Sequence, residues 1–428
     1  MTVPPPGRAA PPPGRAAQPP GRAAPPLGRA APPPGGAAPC PGHAAPGSGP
    51  DPRRDRAGGA EEARTAAAFR LAWSGADPGP TDHTTRPAEA TTAARPVRLT
   101  RDGTGTGALL ALSLAADPDR VVGGVRLRRV PSAGGRYPVD ARVHDPTTDG
   151  RDAGRVYDPL AHALDGGPAR EPARPGATGP GSHARPGAAV PALSDPDHDD
   201  HDDDPDVVLH LSPERTAWRY GPRSLPVLLL DLGHAAAAVL AAAATLRRPR
   251  TAHLVPDGDR SRVVLTTGPG PDGAVALGAS ADPHPAAVLR ARRSAPFASL
   301  RPPVADPGLD RIARTRLGAG QHAALLDAGH PLLAALTRRA CGLPDLTGVG
   351  GLLVVTGDVD PGPDTVAQHV RSGLAAHDAW LTATAAGLRA RPVGCWVEAV
   401  LHGPGGRGRV QHALALGGHG SGRTGRVA

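Results

Sequence analysis

Residues 4–45 are six heptapeptides in tandem: PPPGRAA, PPPGRAA, QPPGRAA, PPLGRAA, PPPGGAA and PCPGHAA. A period of seven is the spacing of a coiled coil, yet Pro and Gly in every copy exclude one. Proline removes a helical donor and clashes with the preceding turn. The segment is expected to be an extended, partly polyproline-II tail. It reads either as a tether or as slippage-generated filler. The 57 Gly and 54 Pro of the 428 residues crowd into residues 1–90 and into 166–206. Both stretches are expected to be disordered, which leaves roughly 290 residues able to fold, enough for two domains with real cores.

Every basic residue is arginine; the sequence contains no lysine. That excludes a P-loop, which needs Lys at the phosphates, and a pyridoxal enzyme, which needs a Schiff-base Lys. The net charge of +8 invites a nucleic-acid reading. Residues 1–60 hold seven Arg against Asp51 and Asp55, so most of the excess lies in the tail. The nine aromatic residues are dispersed rather than clustered for base stacking, and no nucleic-acid partner is expected. Cys40, Cys341 and Cys395 form no CxxC pair; no disulfide framework or zinc site is expected, and a reducing cytoplasm fits. No signal peptide is read at the N-terminus. The most apolar run, Val227–Leu246, contains Asp231 and His234 and is expected to be a buried strand and helix, not a membrane span.

Along the chain, Glu61–Ser74 reads as a short helix, and an ordered body begins near Arg95. Its first half, 91–288, reads as helix (Ala108–Ala116), strand (Val125–Val130), turn, strand (Val139–His144), the insertion 166–206, strand (Val207–Leu211), strand (Val227–Leu230) and helix (Gly233–Leu246). The second half, 289–428, reads as helix near His322–Ala340, strand (Gly351–Thr356), helix (Thr365–Gly387) and strand (Val410–Leu416). Helices and strands without regular βαβ alternation imply an α+β fold. His198 and His201 lie in the acidic run SDPDHDDHDDDPD. Such a run is read as solvated, and no metal site is expected. No GxSxG elbow is present.

Two stretches carry chemistry. In RRVPSAGGRYPVDARV (Arg128–Val143), small residues between two strands let backbone N–H groups approach a flat or anionic ligand closely. An ordinary hairpin turn has the same composition. In Arg292-Arg293-Ser294, a guanidinium fork beside a hydroxyl suits a phosphate; each alone is also common as solvated charge.

Taken together, the motifs resemble the SagB-type azoline dehydrogenases of the nitroreductase superfamily. PSAGGRYPVD and VYDPLAHALD are similar to that family's PSAGxxYPVE…YDPxxHALE pattern, and Val207–Leu246 to its strand, W-K-Y-G-x-R motif and L-D-x-G-H helix. Arg292, Arg293, Ser294 and Phe297 resemble an R-x-S opening. Arg371–Trp396 resembles the long core helix with its P-x-G loop, and His412–Arg426 a closing strand with a terminal Arg clamp. The resemblance implies flavin mononucleotide (FMN) as cofactor, flanked by Ser132, Ala133, Gly134 and Gly135 on one side and Gly394 on the other. Arg292, Arg293, Ser294, Arg423 and Arg426 would hold the phosphate. It implies oxidation of a peptide thiazoline or oxazoline to the azole, with oxygen regenerating the flavin. A modified precursor peptide and a cyclodehydratase complex would be partners. The family's Lys-Tyr proton-abstraction pair reads Arg219-Tyr220 here, so Tyr220 is expected to act with Arg219 lowering its pKa.

The front half has the PSAG loop and lacks the R-x-S serine; the rear half has the reverse. This implies two tandem nitroreductase-like halves forming a pseudo-dimer around one flavin, with further homodimerisation left open. Two alternatives stand beside it: an NAD(P)H-dependent nitro or quinone reductase on the same scaffold, and a catalytically degenerate flavin-holding or partner-binding subunit of a peptide-modifying complex.

Overall fold

Antiparallel pairing links every ladder of the two main sheets, and two long helices cross between them. The computed structural model describes residues 52–75, 96–122, 125–144, 154–165, 204–280, 282–305, 307–342, 344–403 and 406–418. The heptapeptides, His198, His201, nearly all of the 166–206 insertion, Arg423 and Arg426 lie outside them. The helices and strands belong to the unit Pro52–Ala428.

The front portion runs α1 (Pro52–Trp73), β1 (Val97–Arg98), α2 (Thr106–Ser113), β2 (Ala116–Val122), β3 (Val125–Arg128), β4 (Val139–His144), β5 (Arg155–Asp158), β6 (Ala163–Leu164) and β7 (Asp206–Leu211). It continues through α3 (Glu214–Tyr220), α4 (Ser224–Thr245), β8 (Thr251–Val255), β9 (Arg262–Thr266) and β10 (Val275–Ala279). The rear portion runs α5 (Ala286–Ala291), α6 (Leu309–Arg314), β11 (His322–Asp327), α7 (Leu332–Arg339), β12 (Gly351–Gly357), α8 (Thr365–Ala385), β13 (Arg389–Val393), β14 (Val400–Gly403) and β15 (Gly406–Gly417). The larger sheet has the order β1-β6-β5-β4-β7-β9-β8-β10, the smaller β11-β12-β15-β13 with β14 also on β15, and β2 pairs β3 apart from both. The chain is thus a mixed helix-and-sheet protein.

Helix α4 is buried from Leu225 to Ala243, with Asp231 and His234 the ionisable residues in an otherwise largely apolar run, the pattern of a helix enclosed by its own protein. The segment Glu214–Thr245 is long and apolar enough to cross a membrane, yet its apolar window is 94% buried within the molecule. Helix α8 crosses α4 where two glycines meet. A Cβ on Gly233 would lie 2.1 Å from the Val370 carbonyl oxygen and 3.0 Å from Gly373 Cα. A Cβ on Gly373 would lie 2.4 Å from the Leu230 carbonyl oxygen and 3.0 Å from Gly233 Cα. The contacts are reciprocal: each glycine receives the backbone of the residue three positions before the other.

Several expectations are corrected. Val227–Leu230 is not a strand: it opens α4, because an apolar run of this length closes its own hydrogen bonds as a helix. His322–Ala340 is not one helix: His322–Asp327 is a strand paired in full register with β12, and α7 begins after Gly329 (φ 77°) and Pro331 break the chain. Strands β8, β9, β10, β13 and β14 were not foreseen from the sequence. Residues 52–75 are not disordered tail, since α1 buries Phe69 and Trp73 against His369. Cys341 and Cys395, expected to be free, form a disulfide with Cα atoms 5.2 Å apart. It ties the end of α7 to the loop after β13, two segments that 54 residues of sequence separate.

Candidate functional site

The loop joining β3 to β4 takes its shape from a few hydrogen bonds. Ala133–Gly135 form one 3-10 turn, with Gly134 at φ 61° and Gly135 at φ 67°, a backbone region open mainly to glycine. Ser132 Oγ accepts the Tyr137 N–H at 2.7 Å and donates to Asp231 Oδ2 at 2.9 Å. The Ala133 N–H donates to the same carboxylate at 3.2 Å. Tyr137 Oη in turn accepts the Arg128 N–H at 2.8 Å, closing the loop at its base. Asp231 is thus the anchor on α4 that holds the loop.

Asp231 is 5% exposed. Burial pushes its carboxyl up to about 7, although the Ser132 hydroxyl and Ala133 N–H both favour the charged form. It is therefore a carboxyl that exchanges a proton near neutral pH.

Arg219 and Tyr220 stand on the open side of the loop. A Cβ on Gly134 would approach Tyr220 Oη to 3.5 Å and Arg219 Nε to 3.6 Å. They are presented by α3, which Arg215 pins by pairing with Asp140 Oδ1 at 2.7 Å and donating to the Tyr137 carbonyl at 3.2 Å. The expected electrostatics are reversed. Arg219 does lower the Tyr220 pKa, but burial and the negative charge of Asp231 outweigh it, so the phenol titrates above its ordinary range. Tyr220 therefore keeps its proton at neutral pH.

The end of β13 and the residue after it, Pro392–Gly394 (the rear loop of the site), arrive at the neighbouring residue of α4. A Cβ on Gly394 would meet Leu230 Cδ1 at 3.1 Å and the His412 ring at 3.5 Å. The front loop rests on Asp231 and the rear loop on Leu230, so one helical turn brings both together.

Arg292 does not take its expected place. It is 1% exposed, its Nε and Nη2 donate to the Arg129 carbonyl at 3.3 and 3.1 Å, and its Nη1 donates to His377 Nε2. Burial and Arg129 press its pKa down to about 9, which leaves it charged at neutral pH. Three of its five N–H groups are thus engaged inside the protein, and burial turns the whole guanidinium away from a ligand's phosphate. Arg293 points outward, 3.4 Å from Asp117. Ser294 is exposed, and its backbone bridges Ala390, next to the rear loop. Sequence reasoning missed Asp231 and the buried histidines His234, His377 and His412. An acid and a histidine inside a 20-residue apolar run were the available signal.

No family model matches the sequence, and no curated relative matches it either. Among solved structures, a protein from Anabaena variabilis described as a nitroreductase superposes with a TM-score of 0.52. The match covers 82% of this chain and 99% of the other at 14% identity. The fold is nitroreductase-like. Two further proteins described as nitroreductases in complex with FMN match smaller parts of the chain. The one from Desulfovibrio desulfuricans covers 32% of this chain and 90% of its own, at 18% identity and a TM-score of 0.23. The one from Exiguobacterium sibiricum covers 32% and 90%, at 15% identity and 0.22.

Proposed function

We propose that this chain is an FMN-dependent oxidoreductase and that its reaction is the oxidation of peptide thiazolines or oxazolines to azoles. One observation carries the reading: a glycine loop with positive φ, anchored to a near-neutral carboxyl, faces a tyrosine and an arginine on one side of a nitroreductase-like fold. The residues fit the ring of a flavin. Gly134 and Gly135, at positive φ, keep side chains off the front loop, and at Gly394 a Cβ would already press on Leu230 Cδ1 at 3.1 Å, so both walls present backbone. They fit its phosphate only in part, because Arg292 is turned inward. Ser132, Ala133, Gly134, Gly135 and Gly394 would flank the ring, and Arg293, Ser294, Arg423 and Arg426 would serve the phosphate. Bound flavin supplies the hydride acceptor.

An azoline loses a proton alpha to its carbonyl and a hydride equivalent. Asp231 is the group here that can hold that proton near neutral pH, while Tyr220, protonated, donates a hydrogen bond to the developing negative charge. The reciprocal Gly233–Gly373 crossing supports the reading of two fused halves with one flavin per chain. A precursor peptide as substrate and a cyclodehydratase as partner complete the reading; the Cys341–Cys395 disulfide removes the argument for a reducing cytoplasm made from the cysteines.

The test is incubation of the flavin-loaded full chain with a cyclodehydrated peptide. A mass loss of two hydrogens is expected, absent in Asp231→Asn. Arg219, where a lysine would be the usual partner of Tyr220, favours a second reading: a flavin-holding subunit that stays yellow and leaves the azoline unchanged. Flavin reduction on adding NAD(P)H, with no azole formed, would instead support a nitro or quinone reductase.

A further inference from the structure

Behind the two loops lies an unbroken run of buried polar groups that the proposed reaction does not use. Arg292 Nη1 meets His377 Nε2, His377 Nδ1 meets His234 Nδ1 at 3.2 Å, and His234 Nε2 meets His412 Nε2 at 2.7 Å. His412 Nδ1 meets the carbonyl oxygen of Val393 at 3.1 Å. The three rings are at most 2% exposed, and they come from α4, α8 and β15. They do not converge on a point, since His234 turns a different nitrogen to each neighbour. Among the described residues no group of side chains suits a metal ion.

The two ends decide the direction. Arginine can only donate, and a carbonyl can only accept. Arg292 obliges His377 to accept at Nε2 and so to carry its proton on Nδ1. His377 then donates to His234 Nδ1, which leaves the His234 proton on Nε2. His234 donates to His412 Nε2, which leaves the His412 proton on Nδ1, facing Val393. Read from the carbonyl end, the same three tautomers emerge. One pattern of protons satisfies every contact, and it requires all three rings to be neutral. Burial agrees, holding His234 and His377 well below the ordinary histidine range and His412 at about 4.

We propose that Arg292, His377, His234 and His412 form a one-way hydrogen-bond chain that fixes the Pro392–Gly394 loop from within, so that Arg292 is a positioning residue and not a phosphate ligand. The chain joins the stem of the front loop, through the Arg129 carbonyl, to Val393 at the rear loop. It thereby sets the two walls of the candidate site against each other. This inference goes beyond the proposed reaction and needs no bound flavin, so either can fail alone.

The test uses the full chain with 15N-labelled histidine at pH 7. Long-range proton–nitrogen correlations are assigned with His234→Gln, His377→Gln and His412→Gln. The expected spectrum has neutral rings protonated on Nδ1 at His377 and His412 and on Nε2 at His234. An imidazolium, or the opposite tautomer at any of the three, overturns the proposal. A second measurement reads the loop by hydrogen exchange of residues 389–396. A glutamine at position 234 can accept from one neighbour and donate to the other, whereas leucine can do neither. His234→Leu is expected to raise exchange there at least tenfold, and His234→Gln to stay within threefold of the parent. Equal exchange in both variants, raised or not, means that hydrogen-bond polarity does not hold the loop and overturns the proposal. Should the leucine variant fail to fold, the tautomers of the parent protein still decide.

Discussion

Adding one methyl group at the crossing of α4 and α8 tests the packing on which the site depends. In Gly373→Ala the new Cβ would fall 2.4 Å from the Leu230 carbonyl oxygen, 3.0 Å from Gly233 Cα and 3.1 Å from His234 N. These are backbone atoms of a buried helix and have no rotamer to escape into, so the helices must part by about 1 Å to restore ordinary contact. Overpacking of this kind costs about 1–3 kcal/mol, and more where backbone must move. Alanine's better helix propensity returns about 1 kcal/mol. Because backbone must move, the upper end of about 3 kcal/mol applies, and the expected net loss is about 2 kcal/mol, read as a lower midpoint in urea at an unchanged slope. Gly59→Ala is the control. It is the same substitution inside α1, where a Cβ meets nothing within 4 Å, and it should be neutral or stabilise by up to about 1 kcal/mol. Gly373→Ala as stable as the parent would refute the close crossing. Gly233→Ala should behave like Gly373→Ala, and the double variant should cost less than their sum, because one parting of the two helices serves both methyl groups.

The same geometry fixes further outcomes. Asp231 has a folded pKa raised above its unfolded value, so its contribution to stability is full below about pH 4 and is lost as pH rises towards 7. Asp231→Asn lacks that loss, and its stability relative to the parent should rise between pH 4 and 8; a gap independent of pH contradicts the buried carboxyl. Tyr220→Phe should bind flavin as the parent does and lose most azole formation, and full turnover would remove the tyrosine from proton handling. Without reductant, the denatured protein should show one reactive thiol, Cys40, rather than three. Replacing Cys341 and Cys395 by serine should cost about 4 kcal/mol from the 54-residue closure, and no change would mean the bond adds nothing.

How far the sequence reached depends on what kind of signal each element carries. Strands β4, β7, β12 and β15 were legible as short apolar, β-branched-rich runs bounded by breakers, and helix α8 by its length and its apolar residues recurring at three and four. Helix α4 was misread in its first turns because it is buried on every side, and a continuous apolar run has no period to read. Strand β11 was lost among alanines and leucines, whose propensity is helical; pairing with β12 overrode it. At the site, the structure sets the Ser132–Gly135 loop on Asp231 and Gly394 beside Leu230, and Tyr220 beside Gly134; the sequence held no signal for the shared helix. The inward turn of Arg292 was not legible. It depends on His377 and on the Arg129 carbonyl, 85 and 163 residues away in sequence, and arginine is read as exposed unless its partner is known. The same holds for Tyr220, whose pKa follows its burial and Asp231 more than the adjacent Arg219.

Every role proposed for the site depends on a flavin enclosed between the front and rear loops. The deciding measurement is visible absorption of the purified full chain, combined with flavin released on denaturation and counted against protein. A yellow protein carrying one FMN per chain is expected. A folded protein that is colourless and does not take up FMN on reconstitution would contradict the enclosed flavin.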